Sequence, residues 1–245
     1  MSRVISFRVS GETAAFRDPS VNTSQSVCYI PSKTAAIGMI GAVLGVQRGH
    51  GVAENYSDDY LKLFQATRIG IELESRPEKV SFFTNHRSLK EAKTKPFKTE
   101  LILRPRYRMY VQADEETMKK LFHAMSAGEC AYPPYLGHAY CPATISEPSE
   151  HEATRHQGAN FMTSAVMLDE SETYDDSFSL TAEASSGSTV IVERHLHHFM
   201  EGGKLQARVL KHWIPVNGSL DVTITGTPKL SETVALDKKK IVCLY

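Results

Sequence analysis

The sequence predicts an α+β fold: a ferredoxin-like domain (RRM-like, βαββαβ) that carries a long inserted β-hairpin, followed by a smaller β-rich part. Strand and helix patterns succeed one another over residues 4–145 in the order strand, helix, strand, strand, helix, strand. A polar and basic insertion separates the second and third strands, and beyond residue 146 strand-like runs alternate with polar stretches. We therefore divide the chain into a first domain, residues 1–146, and a C-terminal region, residues 147–245.

Four segments of the first domain have the alternation of apolar and polar residues that is typical of a half-buried strand. They are residues 4–10, 67–75, 102–113 and 138–145. In the third segment, the spacing of two would place Arg104, Arg106 and Arg108 side by side on one face of the sheet. Packing does not require three like charges there, so we expect an anion to neutralise them.

Residues 31–45 are predicted to form a helix that packs on the sheet. Ser32 is a suitable N-cap, Gly45 is a suitable C-terminal stop, and the residues between them favour a helix. Gly38 and Gly41 lie in the interior, where each glycine costs about 1 kcal/mol relative to alanine. Together with Gly45 they form a ridge of small residues, and we expect another backbone to lie against it.

Residues 114–128 are predicted to form the second helix of the domain. Asp114 is a suitable cap, acidic residues follow it in the first turn, and Gly128 ends the segment. The apolar stripe expected to face the sheet consists of Met118, Leu121, Phe122 and Met125.

The insertion at residues 76–101 is predicted to form a long hairpin that projects from the sheet. Two extended runs, 79–84 and 97–103, flank a polar and basic tip. Residues 87–108 carry eight basic side chains against two acidic ones, a net charge of +6 in a chain whose overall net charge is zero. The basic residues are Arg87, Lys90, Lys93, Lys95, Lys98, Arg104, Arg106 and Arg108.

This concentration of positive charge suggests a nucleic-acid interface, although a basic run is often only a solvated surface. Aromatic residues interleave with the basic ones, namely Phe82, Phe83, Phe97, Tyr107 and Tyr110. Arginine binds phosphate bidentately and aromatic rings stack on bases, each ring contributing about 1–3 kcal/mol on single-stranded nucleic acid. Because ferredoxin-like sheets with such a surface commonly bind RNA, we expect this part of the chain to contact RNA.

The C-terminal region is predicted to combine strands with flexible polar loops. Residues 146–158 and 169–188 are polar, and the second stretch is strongly acidic, which is typical of loops. Five strand-like runs lie between and beyond them: FMTSAVML, TVIVERHLHHFM, LQARVLKHWIPV, LDVTITG and KIVCLY.

The composition indicates an ordinary globular protein, with 41% hydrophobic and 23% charged residues among 245. The four cysteines are far apart and form no CxxC pair, which argues against a zinc ribbon or a disulfide framework and fits a reducing compartment. The first residues lack the plan of a signal peptide, and no apolar run approaches the roughly 18 residues of a membrane span. We expect a soluble, cytoplasmic protein without a membrane partner.

The sequence predicts neither a metal site nor a cofactor. His195 and His197 would share a strand face and could chelate a metal, but their spacing matches no standard zinc pattern. A solvent-facing strand side is the better interpretation of this pair.

Metal-independent cleavage of RNA is the alternative activity. It would need a base near a 2′-hydroxyl and a cation near the phosphorane. His86 with Lys90, or Tyr29 with Lys33, could supply these groups, but a surface position explains Lys33 and His86 better. GxSxG, HExxH and P-loop motifs are absent, and no catalytic residue is expected.

Residues 7–46 contain a more specific pattern. It consists of Ser10-Gly11 at the end of a strand, Phe16-Arg17-Asp18-Pro19, a Ser/Thr-rich segment from Thr23 to Ser26, and the Pro-led helix with TAAIGMIGAVLG. This pattern resembles the N-terminal signature of CRISPR-associated protein family five, a branch of the RAMP superfamily. RPRYRMYV (104–111) and YPPYLGHAYCPA (132–143) resemble further segments of that family.

The resemblance implies a subunit of Cascade, the multisubunit type I surveillance complex of CRISPR antiviral defence. In that family the protein caps the end of the complex that holds the 5′ handle of the CRISPR RNA. A thumb-like hairpin, for which residues 76–101 are the candidate, inserts between the handle and the first guide nucleotides. The implied partners are the CRISPR RNA, the backbone subunit, the large subunit and, indirectly, target DNA.

The helix TAAIGMIGAVLG resembles the I-B group, in which a separate nuclease processes the RNA. The I-C branch processes its own RNA with a Tyr/Lys/His set, for which no matching positions are found here. The resemblance therefore implies a non-enzymatic RNA-binding subunit. Arg17 and Lys33, which lie in the signature stretch, join the basic residues above as candidate RNA contacts.

Overall fold

Strands predominate in the part of the chain that the computed structural model describes, which is residues 2–18, 21, 24–49, 56–87, 93–171 and 178–245. Within these ranges the helices are α1 (Lys33–Leu44), α2 (Asp58–Ala66) and α3 (Glu115–Ala127). The strands are β1 (Ser2–Ser10), β2 (Thr13–Ala14), β3 (Arg68–Leu73), β4 (Glu78–Arg87), β5 (Thr94–Leu103), β6 (Arg106–Gln112), β7 (Thr144–Arg155), β8 (Asn160–Thr163), β9 (Met167–Asp169), β10 (Ser179–Ala184), β11 (Thr189–Glu201), β12 (Lys204–Val216), β13 (Leu220–Thr225), β14 (Glu232–Leu236) and β15 (Lys240–Leu244). The fold is thus α+β and rich in strands. None of the helices in the described ranges has both the length and the apolar character that crossing a membrane requires.

The largest sheet has six antiparallel strands in the order β15-β14-β7-β1-β6-β3. Its two edge strands also meet, because Ile69 of β3 and Tyr245, which follows β15, exchange backbone hydrogen bonds. The two N···O distances are 3.0 and 2.8 Å. The sheet therefore curls until its edges are joined, which leaves fewer unpaired edge groups.

An apolar core lies on each face of this sheet. On one face Phe7 packs in a cluster with Ile37 of α1 and Leu121 of α3. On the other face Val4 and Val242 belong to a second, smaller cluster that contains no helix residue. Because successive strand residues point to opposite faces, one strand such as β1 can contribute to both cores.

α1 and α3 begin and end within two residues of the predicted positions, and the predicted caps are confirmed. The side chain of Ser32 accepts a hydrogen bond from the backbone of Ala35, and Asp114 accepts one from the backbone of Thr117. Gly45 and Gly128 end the two helices in the left-handed conformation. Local side-chain chemistry therefore determines these boundaries.

The glycine ridge of α1 is covered only at its C-terminal end. A Cβ atom added at Gly41 would lie 3.1 Å from the carbonyl oxygen of Val46. One added at Gly45 would lie 3.2 Å from the Cβ atom of Ala131. The backbone N–H of Ala131 also donates to a carbonyl of the last helical turn, at 3.2 Å. A Cβ atom added at Gly38 would have no neighbour within 4 Å, so the prediction that another backbone packs against this residue is wrong.

The patterns described above do not predict α2. Ser57 caps it by accepting a hydrogen bond from the backbone N–H of Tyr60, and Asp58 and Asp59 lie in its first turn. Its buried residues are Tyr60, Leu63 and Phe64, at helical spacing. A capping residue followed by an apolar stripe was therefore the signal available in the sequence.

Several strand predictions are wrong. The predicted strand 102–113 is two strands, because β5 ends at Leu103 and β6 begins at Arg106. The predicted strand 138–145 consists mainly of turns, and β7 begins only at Thr144. The predicted loop 146–158 is largely β7, which pairs with β1 and β14. Its residues are mostly polar, so the sequence pattern did not indicate a strand.

The C-terminal strands confirm the predicted β-rich character. They form the three-stranded sheets β10-β13-β8 and β11-β12-β9, while β14 and β15 extend the large sheet. β10 lies inside residues 169–188, where a loop was predicted, and residues 172–177 are outside the described ranges. The predicted division at residue 146 falls within β7.

β4 and β5 form an antiparallel hairpin at the position predicted for one. Its register runs from Glu78 opposite Leu103 to Arg87 opposite Thr94. On its other side β5 pairs with the short strand β2, which anchors the base of the hairpin. Residues 88–92, which are part of the tip predicted between residues 84 and 97, lie outside the described ranges.

We expect the substitution Gly137→Ala to destabilise the fold by about 2–4 kcal/mol, because the position requires both a left-handed backbone and the absence of a side chain. Gly137 has a φ of +85°, and a Cβ atom would lie 2.4 Å from the backbone oxygen of Ala15. Gly128→Ala is the matched control, since Gly128 has a φ of +70° but no neighbour within 4 Å of an added Cβ. The control should cost only about 1–2 kcal/mol in urea unfolding. Equal losses in the two variants would contradict the role of the Ala15 contact.

Candidate nucleic-acid interface

Arg108 is neutralised within the chain. It lies directly opposite Arg8 of β1, and Glu74 accepts hydrogen bonds from both guanidinium groups at 2.8 and 2.6 Å. Glu147 binds the same two arginines from β7, at 2.8 Å from Arg108. Burial alone would raise the pKa of Glu74, but the hydrogen bonds from the two arginines outweigh it and lower that pKa. The anion expected at Arg108 is therefore a pair of carboxylates of the chain itself.

Replacing Glu74 by glutamine should destabilise the protein by about 1–3 kcal/mol, because it leaves two opposed guanidinium groups with one carboxylate. Glu115→Gln is a suitable control, since Glu115 forms an exposed pair with Lys119 on α3 and such pairs contribute little to stability. Chemical unfolding at neutral pH measures both changes. A loss at Glu74 no larger than at Glu115 would show that the network does not stabilise the sheet.

Arg104 does not belong to the strand that carries Arg106 and Arg108, contrary to the sequence prediction. It lies between β5 and β6 with a φ of +44°, and its backbone N–H donates to the carbonyl oxygen of Glu12 at 2.8 Å. The chain turns at this point from the hairpin into the large sheet. Pro105, which cannot donate to a strand ladder, was the sequence signal for this break.

Three arginines line one depression at the base of the hairpin. Arg76, Arg104 and Arg106 are all exposed and border a cavity of about 660 Å³. Glu12 and Glu78 border it as well, yet no ion pair joins either of them to these arginines within the described residues. We call these three residues the arginine depression. Its open guanidinium groups are suited to bind phosphate, and the left-handed Arg104 is the kind of strained residue that is concentrated at functional sites.

The basic residues of the hairpin are divided between its two faces. The register places Phe83 opposite Lys98, and Arg87 shares their face. Lys95 lies opposite His86 on the other face. Phe83 is 75% exposed, so this face offers an open aromatic ring with Lys98 opposite it and Arg87 farther along the strand, which suits base stacking next to phosphate.

The remaining predicted RNA contacts occupy different environments. Arg17 and Lys93 are exposed, and Lys98 forms an ion pair with Glu100 at 3.0 Å. Lys90 lies outside the described residues. The structure thus brings together Arg104 and Arg106, adds Arg76, which the sequence interpretation omitted, and places Arg108 in an internal network.

Lys33 is turned into the protein rather than toward solvent. Its ammonium group lies 4.9 Å from the centroid of the Phe64 ring of α2. Burial, with a smaller contribution from the charge of Arg68, lowers the pKa of Lys33 to about 8. Tyr29, which the nuclease alternative pairs with Lys33, has its ring 3.7 Å from the ammonium of Lys79 instead.

The histidines of β11 are buried, so the solvent-facing interpretation of His195 and His197 is wrong. They are 3% and 2% exposed, and the rings of His212 and Tyr245 lie beside them. Burial lowers the pKa of His197 to about 3, helped by the charge of Lys33, and places the pKa of His212 well below its ordinary value.

Comparison with known proteins assigns the family. The family model of the CRISPR-associated protein Cas_Cas5 matches residues 4–219. The chain belongs to the Cas5 family of CRISPR-associated proteins. Among curated proteins, no sequence matches this one.

Solved structures share the fold of this Cas5 protein at low sequence identity. A CRISPR protein from Archaeoglobus fulgidus is 13% identical, covers 98% of each chain and has a TM-score of 0.57. A chain of a CRISPR RNA-guided surveillance complex is also 13% identical, with 89% of this chain and 91% of that chain covered and a TM-score of 0.50. Both likenesses extend over nearly the whole Cas5 chain.

Proposed function

We propose that this Cas5 protein is a non-catalytic subunit of the type I Cascade surveillance complex, of the I-B group, that binds and caps the 5′ handle of the CRISPR RNA. In this proposal it acts in the cytoplasm and bridges the backbone and large subunits in antiviral defence. It contacts target DNA only indirectly, through the assembled complex. Family membership supports the effector role, and the arginine depression at the base of an exposed hairpin is the observation that carries the RNA-binding part.

The strand arrangement supports the following binding mode as part of the proposal. Strands β7, β1, β6 and β3 with helices α1 and α3 form the ferredoxin-like unit, and the hairpin β4–β5 inserted between β3 and β6 is the thumb. The arginine depression holds handle phosphates at the base of the thumb. Phe83, which shares one face of the thumb with Lys98 and Arg87, stacks on a base.

Repeat RNA from the CRISPR array of the same genome tests this function. Fluorescence anisotropy in EDTA compares the full repeat RNA with an RNA of equal length whose handle sequence is scrambled. We expect at least tenfold tighter binding of the native handle and co-purification of the chain with the backbone and large subunits. Equal affinity for both RNAs, with no co-purification, would refute handle binding.

The same samples test the nuclease alternative. RNA that stays intact after long incubation in EDTA supports a non-catalytic subunit, whereas discrete cleavage within the repeat would establish metal-independent processing. The Lys33 ammonium lies over the ring of Phe64, and the ring of Tyr29 contacts Lys79; these contacts favour the first outcome.

A further inference from the structure

Cys28, Glu193 and His195 converge at the segment that leads into α1. Glu193 and His195 are two residues apart on β11 and therefore share a face, while Cys28 comes from a distant part of the sequence. One potential ligand atom from each of the three residues lies within 4.8 Å of the others. Glu193 Oε2 and His195 Nε2 are 2.9 Å apart.

The three side chains lie in the interior, where unpartnered polar groups are costly. Cys28 is 5% and His195 3% exposed, and the side chain of Glu193 is 15% exposed. Glu193 also accepts hydrogen bonds from the backbone N–H of Tyr29, at 2.9 and 3.2 Å. A carboxylate held rigidly by a backbone donor beside a thiol and an imidazole is a preorganised set of ligands.

The chemistry of these donors selects the metal. A thiolate, an imidazole and a carboxylate together suit Zn²⁺, whereas Mg²⁺ and Ca²⁺ prefer oxygen ligands throughout. Three protein ligands leave one tetrahedral position for water. That position has room, because a cavity of about 240 Å³ is bordered by Cys28 and His195.

His198 borders the same cavity, together with Arg17 and Ser32. Burial lowers the pKa of His198, and a hydrogen bond with the backbone of Leu196 offsets this only in part, which favours a neutral imidazole. This imidazole adds a polar group to the lining of the cavity.

We propose that Cys28, Glu193 and His195 bind one Zn²⁺ ion, with the fourth coordination position open to the adjoining cavity. The ion would join β11 to the segment that precedes α1. This segment also contacts the hairpin, because Gln25 forms a parallel bridge with Thr99 of β5. The site would thus fasten the C-terminal strands to the base of the hairpin, and it does not depend on the proposed RNA-binding function.

Binding must release the thiol proton of Cys28 and displace a neighbouring cation. Burial, with the charges of Glu193 and Asp18, raises the pKa of the Cys28 thiol to about 12. The ammonium of Lys79 lies 3.7 Å from Glu193 Oε1, and the ring of His212 lies 4.8 Å from that of His195.

Titration of the metal-free full chain with Co²⁺ tests the site directly. We expect one equivalent to produce a sulfur-to-cobalt charge-transfer band, which one equivalent of Zn²⁺ abolishes. C28S should remove the band and lower Zn²⁺ affinity by about 100-fold or more, and H195Q should lower it by at least tenfold. C130S, which removes an exposed thiol, is the matched control and should behave like the wild type.

Thermal unfolding provides a second test, because the change in Tm on adding Zn²⁺ can be compared between variants even when a substitution lowers stability. Zn²⁺ should raise the Tm of the wild-type and C130S proteins but not that of C28S. The proposal is overturned if the wild-type chain shows no stoichiometric cobalt band, or if the band survives C28S and disappears in C130S.

Discussion

Reversing the charge of Arg76, Arg104 and Arg106 together is expected to lower the affinity for handle RNA by about 100-fold or more at physiological salt. These three guanidinium groups border one depression and form no ion pair with the described residues, so their charge is free to meet phosphate. Loss of about three phosphate contacts should also reduce the slope of log affinity against log salt by about 2. Anisotropy titrations at several salt concentrations measure both quantities.

Lys62→Glu combined with Lys119→Glu is the control for a general charge effect. Both lysines are exposed on helices, with side chains 77% and 69% accessible, and both already pair with acids of their own helix. Affinity in this control should stay within about threefold of the wild type, because exposed pairs contribute little. An equal loss in the control and in the arginine variant would mean that RNA responds to overall charge and not to the arginine depression.

Acid is expected to unfold the protein through its buried histidines. The unfolded chain binds protons at His197 and His212 as the pH falls below their ordinary pKa of 6.5, whereas the folded chain leaves both neutral. The unfolded state therefore binds more protons below that pH, and the free energy of unfolding falls as the pH falls. Each histidine should contribute a slope of about 1.4 kcal/mol per pH unit, and His197 does so down to about pH 3.

Replacing His197 by phenylalanine should remove the contribution of this histidine to the pH dependence of the free energy of unfolding. The buried Nε2 atom of His197 has no hydrogen-bond partner among the described residues, so an apolar ring of similar shape should leave the stability at pH 7 within about 1–2 kcal/mol. Urea unfolding at a series of pH values from 7 to 4 measures the slope. His123→Gln, on the exposed face of α3, is the control for the loss of a histidine side chain. An unaltered slope in the His197 variant would show that another group controls acid unfolding.

The elements that the sequence predicted well depend on interactions between near neighbours. Asp114 and Gly128 determine the ends of α3 by hydrogen bonds and backbone conformation within a few residues. The hairpin is likewise visible as two extended runs around a polar tip. The break at Arg104 was missed because the alternation of side chains continues across it, while its left-handed backbone depends on a contact with Glu12, far away in sequence.

The candidate site was predictable only in part, because charge alone does not reveal which basic residues are free. Arg108 has the same spacing as Arg106, but Glu74 and Glu147 reach it from two other strands. The two-residue spacing of His195 and His197 correctly placed them on one face. Whether that face is buried depends on residues as distant as Tyr245, which local patterns do not contain.

The joined edges of the large sheet have a consequence for how the chain folds. Ile69 and Tyr245 are far apart in sequence, and so are the paired strands β1 and β7. Forming the contacts that complete the sheet therefore closes long loops, which costs conformational entropy. Proteins dominated by such contacts fold in milliseconds to seconds. The edge of β3 at Ile69 is therefore expected to pair late in folding, once the distant segment around Tyr245 has docked on the sheet.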